Sequence, residues 1–165
     1  MRQWLFLIPL AMLSIPCMAD GMLYVQVPAV LSKDAPMIDA VKTQCALPQV
    51  VGEDVFNSVS QVYGNSKKTD SEASVIGQPV LKTTLLSARG WAGGGWSGSK
   101  EITIQVELVK DGKTLDTTTL DYSSKGGLFG PFKGTCDILH YAAEKLGKRV
   151  AKWIKKRDDL ILTAK

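Results

Sequence analysis

The run most able to carry chemistry is Gly90–Lys100, GWAGGGWSGSK. Gly93, Gly95 and Gly98 satisfy G-x-G-x-x-G, and Gly93 to Gly98 has the G-x-x-x-x-G spacing of a Walker loop. Such loops hold phosphate because a strand leads in and a helix leads out, so that the helix's first amides meet the anion. Here the glycines lead into Ile102, Ile104, Val106 and Leu108, which alternate with polar residues as a half-buried strand does. Ser99-Lys100 also stands where Lys followed by Ser or Thr is needed. Both departures argue against a nucleotide site. Two readings of the loop stand. Its glycines make an irregular connection with Trp91 and Trp96 folded back over the core, or the tryptophans remain exposed as anchors for a protein or a sugar ring.

Other reactive residues are sparse. His140 is the sole histidine, between Leu139 and Tyr141 in a helical pattern, without a G-x-S-x-G serine or a free cysteine to activate. Glu53-Asp54 and Asp158-Asp159 are sequence neighbours, which on a helix do not face one point. Nothing has the spacing of a metal site, no cofactor is implied, and the expectation is a protein that is not an enzyme.

A second glycine-rich stretch, Ser123–Asp137, does lead into a helix, and its amides near Gly134 could meet an anion. Asp137 in the first turn is expected to answer them instead, while Leu128, Phe129 and Phe132 read as a plug under the sheet. The final helix carries Lys145, Lys148, Arg149, Lys152, Lys155 and Lys156 on its polar face. That face is either solvated or makes weak contact with an anionic surface, at about 1 kcal/mol per lysine.

These residues must be positioned by a chain of 165 residues with 45% hydrophobic content and a net charge of +4, enough for one domain but too mildly basic for a nucleic-acid binder. Residues 1–19 read as a signal peptide, with Arg2, an apolar run from Trp4 to Ile15, and Cys17-Met18-Ala19 as a small-x-small cleavage site. Lipid attachment at Cys17 is the weaker alternative, because Ile15-Pro16 replaces the small residues expected before a lipidated cysteine. The apolar run falls short of the about 20 residues that span a bilayer, and no later one is longer. Cleavage leaves residues 20–165 as a single exported domain, periplasmic or secreted. It also leaves an even pair, Cys45 and Cys136, which in an exported chain predicts a disulfide.

Along the mature chain the pattern predicts a strand over Met22–Val30, then a helix opened by Asp34-Ala35-Pro36 with Ile38, Val41 and Cys45 on one face. Val51, Val55, Val59 and Val62 predict a second helix to about Gln61, and Tyr63–Ser74 reads as a solvated loop. A strand over Val75–Ser87 follows, with Gly77 and Pro79 suggesting an edge or a bulge. Asp111-Gly112 turns a hairpin whose strands match faces if Lys110 joins the turn, pairing Val109 with Lys113. Leu139, Ala142, Leu146, Val150 and Ile154 predict a long closing helix from about Cys136 to Lys156, capped by Thr135. The expected fold is α+β, of order β-α-α-β-β-β-α, with an antiparallel-rich sheet of about four strands and helices on one face. Both glycine-rich segments fall at the same end of its hairpin strands and could form one surface.

Cys45 after a short helix, GGGWSG leading into a strand, GGLFGPFKGTC and LGKRVAKWI together resemble small exported proteobacterial proteins of unknown function. That resemblance implies no activity and no functional residues. The order of elements resembles envelope domains related to the N-terminal domain of TolB and to lipoprotein activators of cell-wall synthases, a likeness of topology alone. The resulting expectation is a cell-envelope interaction module acting through Trp91 and Trp96. The alternative is a glycan or peptidoglycan binder combining those tryptophans with Lys148, Arg149 and Lys152, and an uncharacterised hydrolase comes third.

Overall fold

A computed structural model describes residues 21–163, apart from the side chains of Leu128, Leu162 and Thr163. The expected leader with Cys17 lies outside the described residues. Three long strands form the centre of the sheet: β4 (Val80–Arg89), β5 (Lys100–Lys110) and β6 (Lys113–Ser124), paired antiparallel in that order. The short strands β1 (Leu23–Gln26), β2 (Val30–Leu31) and β3 (Ser66–Thr69) complete six. The order is β3-β1-β4-β5-β6, with β2 also on β4. β1 pairs parallel with both β3 and β4, so the sheet is mixed.

On β5, Ile102, Ile104, Val106 and Leu108 are buried, while Thr103, Gln105 and Glu107 on the opposite face are only half-buried. That alternation is the mark of a sheet covered on one side. The inward residues join one core with Val51, Val55 and Val59 of α2 (Leu47–Ser60) and with Leu139, Leu146, Val150 and Ile154 of α3 (Thr135–Lys155). α1 (Asp39–Gln44) precedes α2, and α4 (Asp158–Thr163) follows α3. The two long helices press together at Gly147, where a Cβ would stand 2.5 Å from the Asp54 carbonyl oxygen. Cys45 and Cys136 stand at disulfide distance, 5.1 Å between Cα atoms, joining the end of α1 to the first turn of α3. Among the described residues no helix is long and apolar enough to cross a membrane.

The hairpin corrects the expected three-residue turn. Lys110 pairs with Lys113 around a two-residue turn, with Asp111 and Gly112 at φ of 50° and 75°. Both angles suit the type I′ geometry that follows strand twist. Parity is restored one pair later: Val109 faces Thr114 and Leu108 faces Asp116, so Leu115 is an extra residue in β6. Ile104 then meets Leu120, and Ile102 meets Tyr122, as the apolar pattern requires.

Other boundaries shift for local reasons. The supposed loop Tyr63–Ser74 contains β3, because SKKT supplies backbone partners to β1 despite its polar side chains: Val27 N–H donates to the Thr69 carbonyl at 2.8 Å. β4 begins at Val80 rather than Val75 and lies inside the sheet, not at an edge, after a single turn of 3₁₀ helix at Glu72–Ser74. α1 starts at Asp39, beyond Asp34-Ala35-Pro36. The cap of α3 is Gly134, whose N–H donates to the Asp137 carboxylate at 3.0 Å, and not Thr135.

Candidate functional site

The two glycine-rich connections meet at the end of the sheet where β5 begins and β6 finishes. Each contains a short 3₁₀ turn, Gly94–Ser97 in the first and Gly127–Phe132 in the second. Gly95 N–H donates to the Lys133 carbonyl at 3.2 Å, and Gly94 N–H donates to the Thr135 hydroxyl at 3.1 Å. A Cβ on Gly95 would lie 2.0 Å from the Gly130 carbonyl oxygen, so only glycine lets the turns touch. The Thr135 hydroxyl thus holds the neighbouring loop instead of capping its own helix.

With their backbones docked, the turns present their large side chains outward. Trp91 is 77% exposed, Trp96 80%, Phe129 67% and Phe132 85%. For the tryptophans this selects the exposed reading over folding back onto the core. For Phe129 and Phe132 it overturns the expected plug, because the docked glycine backbones occupy the space beneath the turns.

Beneath the first loop lies Lys100, 0% exposed. Its Nζ donates to Ser97 Oγ at 2.9 Å and to the Gly98 carbonyl at 3.0 Å. Ser97 Oγ lies 3.1 Å from the Trp91 carbonyl and 3.0 Å from that of Gly94, which it can reach as donor. The loop is therefore tied from below through one amine and one hydroxyl. Gly90, at φ +140°, leaves room for the lysine stem: a Cβ there would come within 2.2 Å of Lys100 Cδ. Burial pushes the Lys100 amine below the usual lysine range. The sequence reading passed over this residue, although it has the same parity as inward Ile102 and stands three residues after Ser97.

An apolar trough runs beside Trp91. One cleft of about 390 Å³ is lined by Pro36, Met37, Ile38, Ala88, Arg89 and Trp91. A second, of about 360 Å³, shares Ile38 and continues along Val41, Cys45 and Cys136 to Gly93 and Gly94. These volumes lie at the small end of the range of ligand pockets. Sequence periodicity could not announce the trough, because it forms only where α1 and the Gly/Trp loop come together.

The basic residues of α3 lie elsewhere. Lys148, Arg149 and Lys152 follow the helix start at Thr135 by 13 to 17 positions, roughly 20–25 Å along the axis. Lys148 pairs with Glu144, and Arg149 donates from Nη1 to the Asp121 carbonyl at 2.6 Å while its guanidinium lies 5.1 Å from the Tyr122 ring centroid. Lys152 is exposed. The structure brings Trp91 and Trp96 onto neighbouring parts of one loop, but does not bring these cations to them.

Of the catalytic candidates, His140 has a structural partner. His140 Nε2 lies 2.8 Å from the Cys45 carbonyl oxygen, at the seam between α1 and α3. Asp54 is held above the usual carboxylate range, first by burial and then by the nearby Glu144 charge. Among the described residues no group of three or more His, Cys, Asp or Glu could hold a metal ion.

Comparison with known proteins adds the architecture. No family model matches the chain, and no curated protein matches it. Solved structures do. The PelC dodecamer of Paraburkholderia phytofirmans superposes with TM-score 0.51 at 14% identity, over 81% of this chain and 91% of that one. A DUF330-family protein from Xanthomonas campestris gives 0.52 at 9% identity, over 88% and 92%. A hypothetical protein from Chlamydia trachomatis gives 0.52 at 9%, over 88% and 100%. What they share with this chain is the fold. At such identities no residue role passes between them.

Proposed function

We propose that this chain is a non-catalytic, exported interaction module of the cell envelope that binds a protein partner in the trough beside Trp91. One observation carries the reading: a tryptophan 77% exposed forms a wall of a preformed apolar cleft, on a loop held from below by Lys100. A rigid aromatic of this kind buries a large area on binding while losing little side-chain freedom. Arg89 at the rim offers an orienting hydrogen bond or ion pair. The leader pattern of residues 1–19 and the Cys45–Cys136 pair support an envelope location.

The PelC relative in fold is described as a dodecamer, which makes a second copy of this chain the first partner to test. The glycan alternative needs Trp91 and Trp96 to act with Lys148, Arg149 and Lys152, and the separation along α3 weighs against it.

A photo-crosslinking residue at Trp91, with a control at Lys110, tests the reading in the producing cell. A discrete protein adduct from position 91 and none from 110 is expected, and its mass separates self-association from another partner. Adducts equal at both positions, or none at 91, overturn the proposal.

A further inference from the structure

Trp96, Phe129 and Phe132 differ from Trp91 in what surrounds them. They sit on two 3₁₀ turns whose backbones dock at Gly95 and Gly130, so three nearly free aromatic rings project from one fixed support. Residues 90–100 and 122–136, which build this end, contain no aspartate or glutamate. Lys125, exposed, and Lys133, half-buried with its ammonium 5.5 Å from the Tyr141 ring centroid, bracket the phenylalanine turn. The acids that flank these segments are Glu101, opposite Ser123 in the sheet, Asp121, and Asp137, whose carboxylate accepts from the Gly134 N–H.

We infer that this tip is a membrane-docking surface: Trp96, Phe129 and Phe132 enter the interfacial layer of a bilayer while Lys125 and Lys133 meet anionic headgroups. The chemistry fits that occupant in three respects. Tryptophan and phenylalanine favour the boundary between headgroups and acyl chains, where an apolar ring is buried and the indole N–H stays hydrated. Cations beside an anionic surface each strengthen attachment, and carboxylates, which would be repelled, are lacking from the two segments. The docked glycine backbones fix the three rings in advance, so insertion does not require ordering a loop. The lysine pair is the charge complement of a lipid surface. The tip and the trough adjoin on one loop, with Trp91 in the wall of the trough and Trp96 on the turn that begins at Gly94. The inference shares the envelope location with the preceding proposal but not its protein partner.

The test uses the exported chain, residues 20–165, with vesicles of phosphatidylethanolamine and phosphatidylglycerol carrying brominated acyl chains. Comparing wild type with Trp96→Phe isolates the emission of Trp96 from that of Trp91 and Trp153. Bromine quenching of the Trp96 component is expected. Lys125→Gln/Lys133→Gln should weaken binding by about 30-fold, with a smaller effect on vesicles of phosphatidylcholine alone. Phe129→Ser/Phe132→Ser should reduce quenching on both kinds of vesicle. The inference is overturned if wild type and Trp96→Phe are quenched alike, or if the lysine variant binds anionic vesicles as well as wild type. A photo-crosslinker at position 96 that captures a protein, with no lipid quenching, also overturns it and makes the tip a protein face. Because the preceding proposal is read at position 91, either result can fail without the other.

Discussion

Leu146 and Trp96 are both large and apolar, and the fold treats them in opposite ways. Leu146, on the inner stripe of α3, is 0% exposed among the valines of α2, whereas Trp96 is 80% exposed at the end of the sheet. The first belongs to a body built by periodic patterning, in which alternation on β5 and a helical stripe on α3 converge on one core. The second belongs to an end built by glycine, where backbone meets backbone and the large aromatic side chains project outward. Burial of apolar side chains is the main stabilising term in a domain. A region that leaves four aromatics in water contributes little of it, and its composition is better explained by what it can touch.

Two perturbations test that division, beginning at the seam between the regions. Cys45 and Cys136 span 91 residues of chain and join α1, which lines the trough, to the start of α3. The chain-entropy model assigns such a crosslink about 4–5 kcal/mol. Cys45→Ala/Cys136→Ala is expected to lower stability by that order in urea unfolding, and reductant should reproduce the loss in wild type but not in the variant. Next comes the comparison itself. Leu146→Ala should destabilise by about 2–5 kcal/mol, since it leaves a cavity between α3 and its neighbours. Trp96→Ala should stay within about 0.5 kcal/mol of wild type. Comparable losses from both would mean that the aromatic end is part of the core after all.

The body was largely readable from the sequence because its signals are periodic. The valines of α2, the stripe of α3 and the alternation of β5 each name an element and its inward face. Even the parity conflict in the hairpin was visible, although the remedy is a bulge at Leu115 rather than a longer turn. Ser66–Thr69 was not readable: its strand is selected by the open edge of β1, and SKKT carries no apolar alternation. The aromatic end was half readable. Trp91 and Trp96 stand out by type, but Phe129 and Phe132 were assigned inward because aromatic residues usually are, and no sequence pattern shows that glycine backbones already fill the space below. The trough at Pro36–Ile38 depends on tertiary approach alone.

Lys100 sharpens the comparison most finely, since it lies at the boundary: its backbone begins β5 with inward parity, and its amine ties the exposed loop. Lys100→Met keeps the stem that fills the space beside Gly90 and removes the bonds to Ser97 and Gly98. At neutral pH the lost bonds are opposed by relief from burying an amine, so the net change is expected to be about 1 kcal/mol or less. The pH dependence is more diagnostic. Burial lowers the folded-state pKa from the ordinary 10.5, so between the two values the unfolded chain binds more protons than the folded one. Wild-type stability should therefore gain from this group as pH rises through that window toward 10.5, and Lys100→Met should lack the gain. Urea unfolding of both proteins across the alkaline range measures the difference, which must widen with pH. Amide exchange at residues 94–98 should accelerate in the variant while β5 from Ile102 onward stays protected. Parallel pH curves would show that the buried amine carries no depressed pKa, and unchanged exchange in the loop that it does not hold the aromatic end in place.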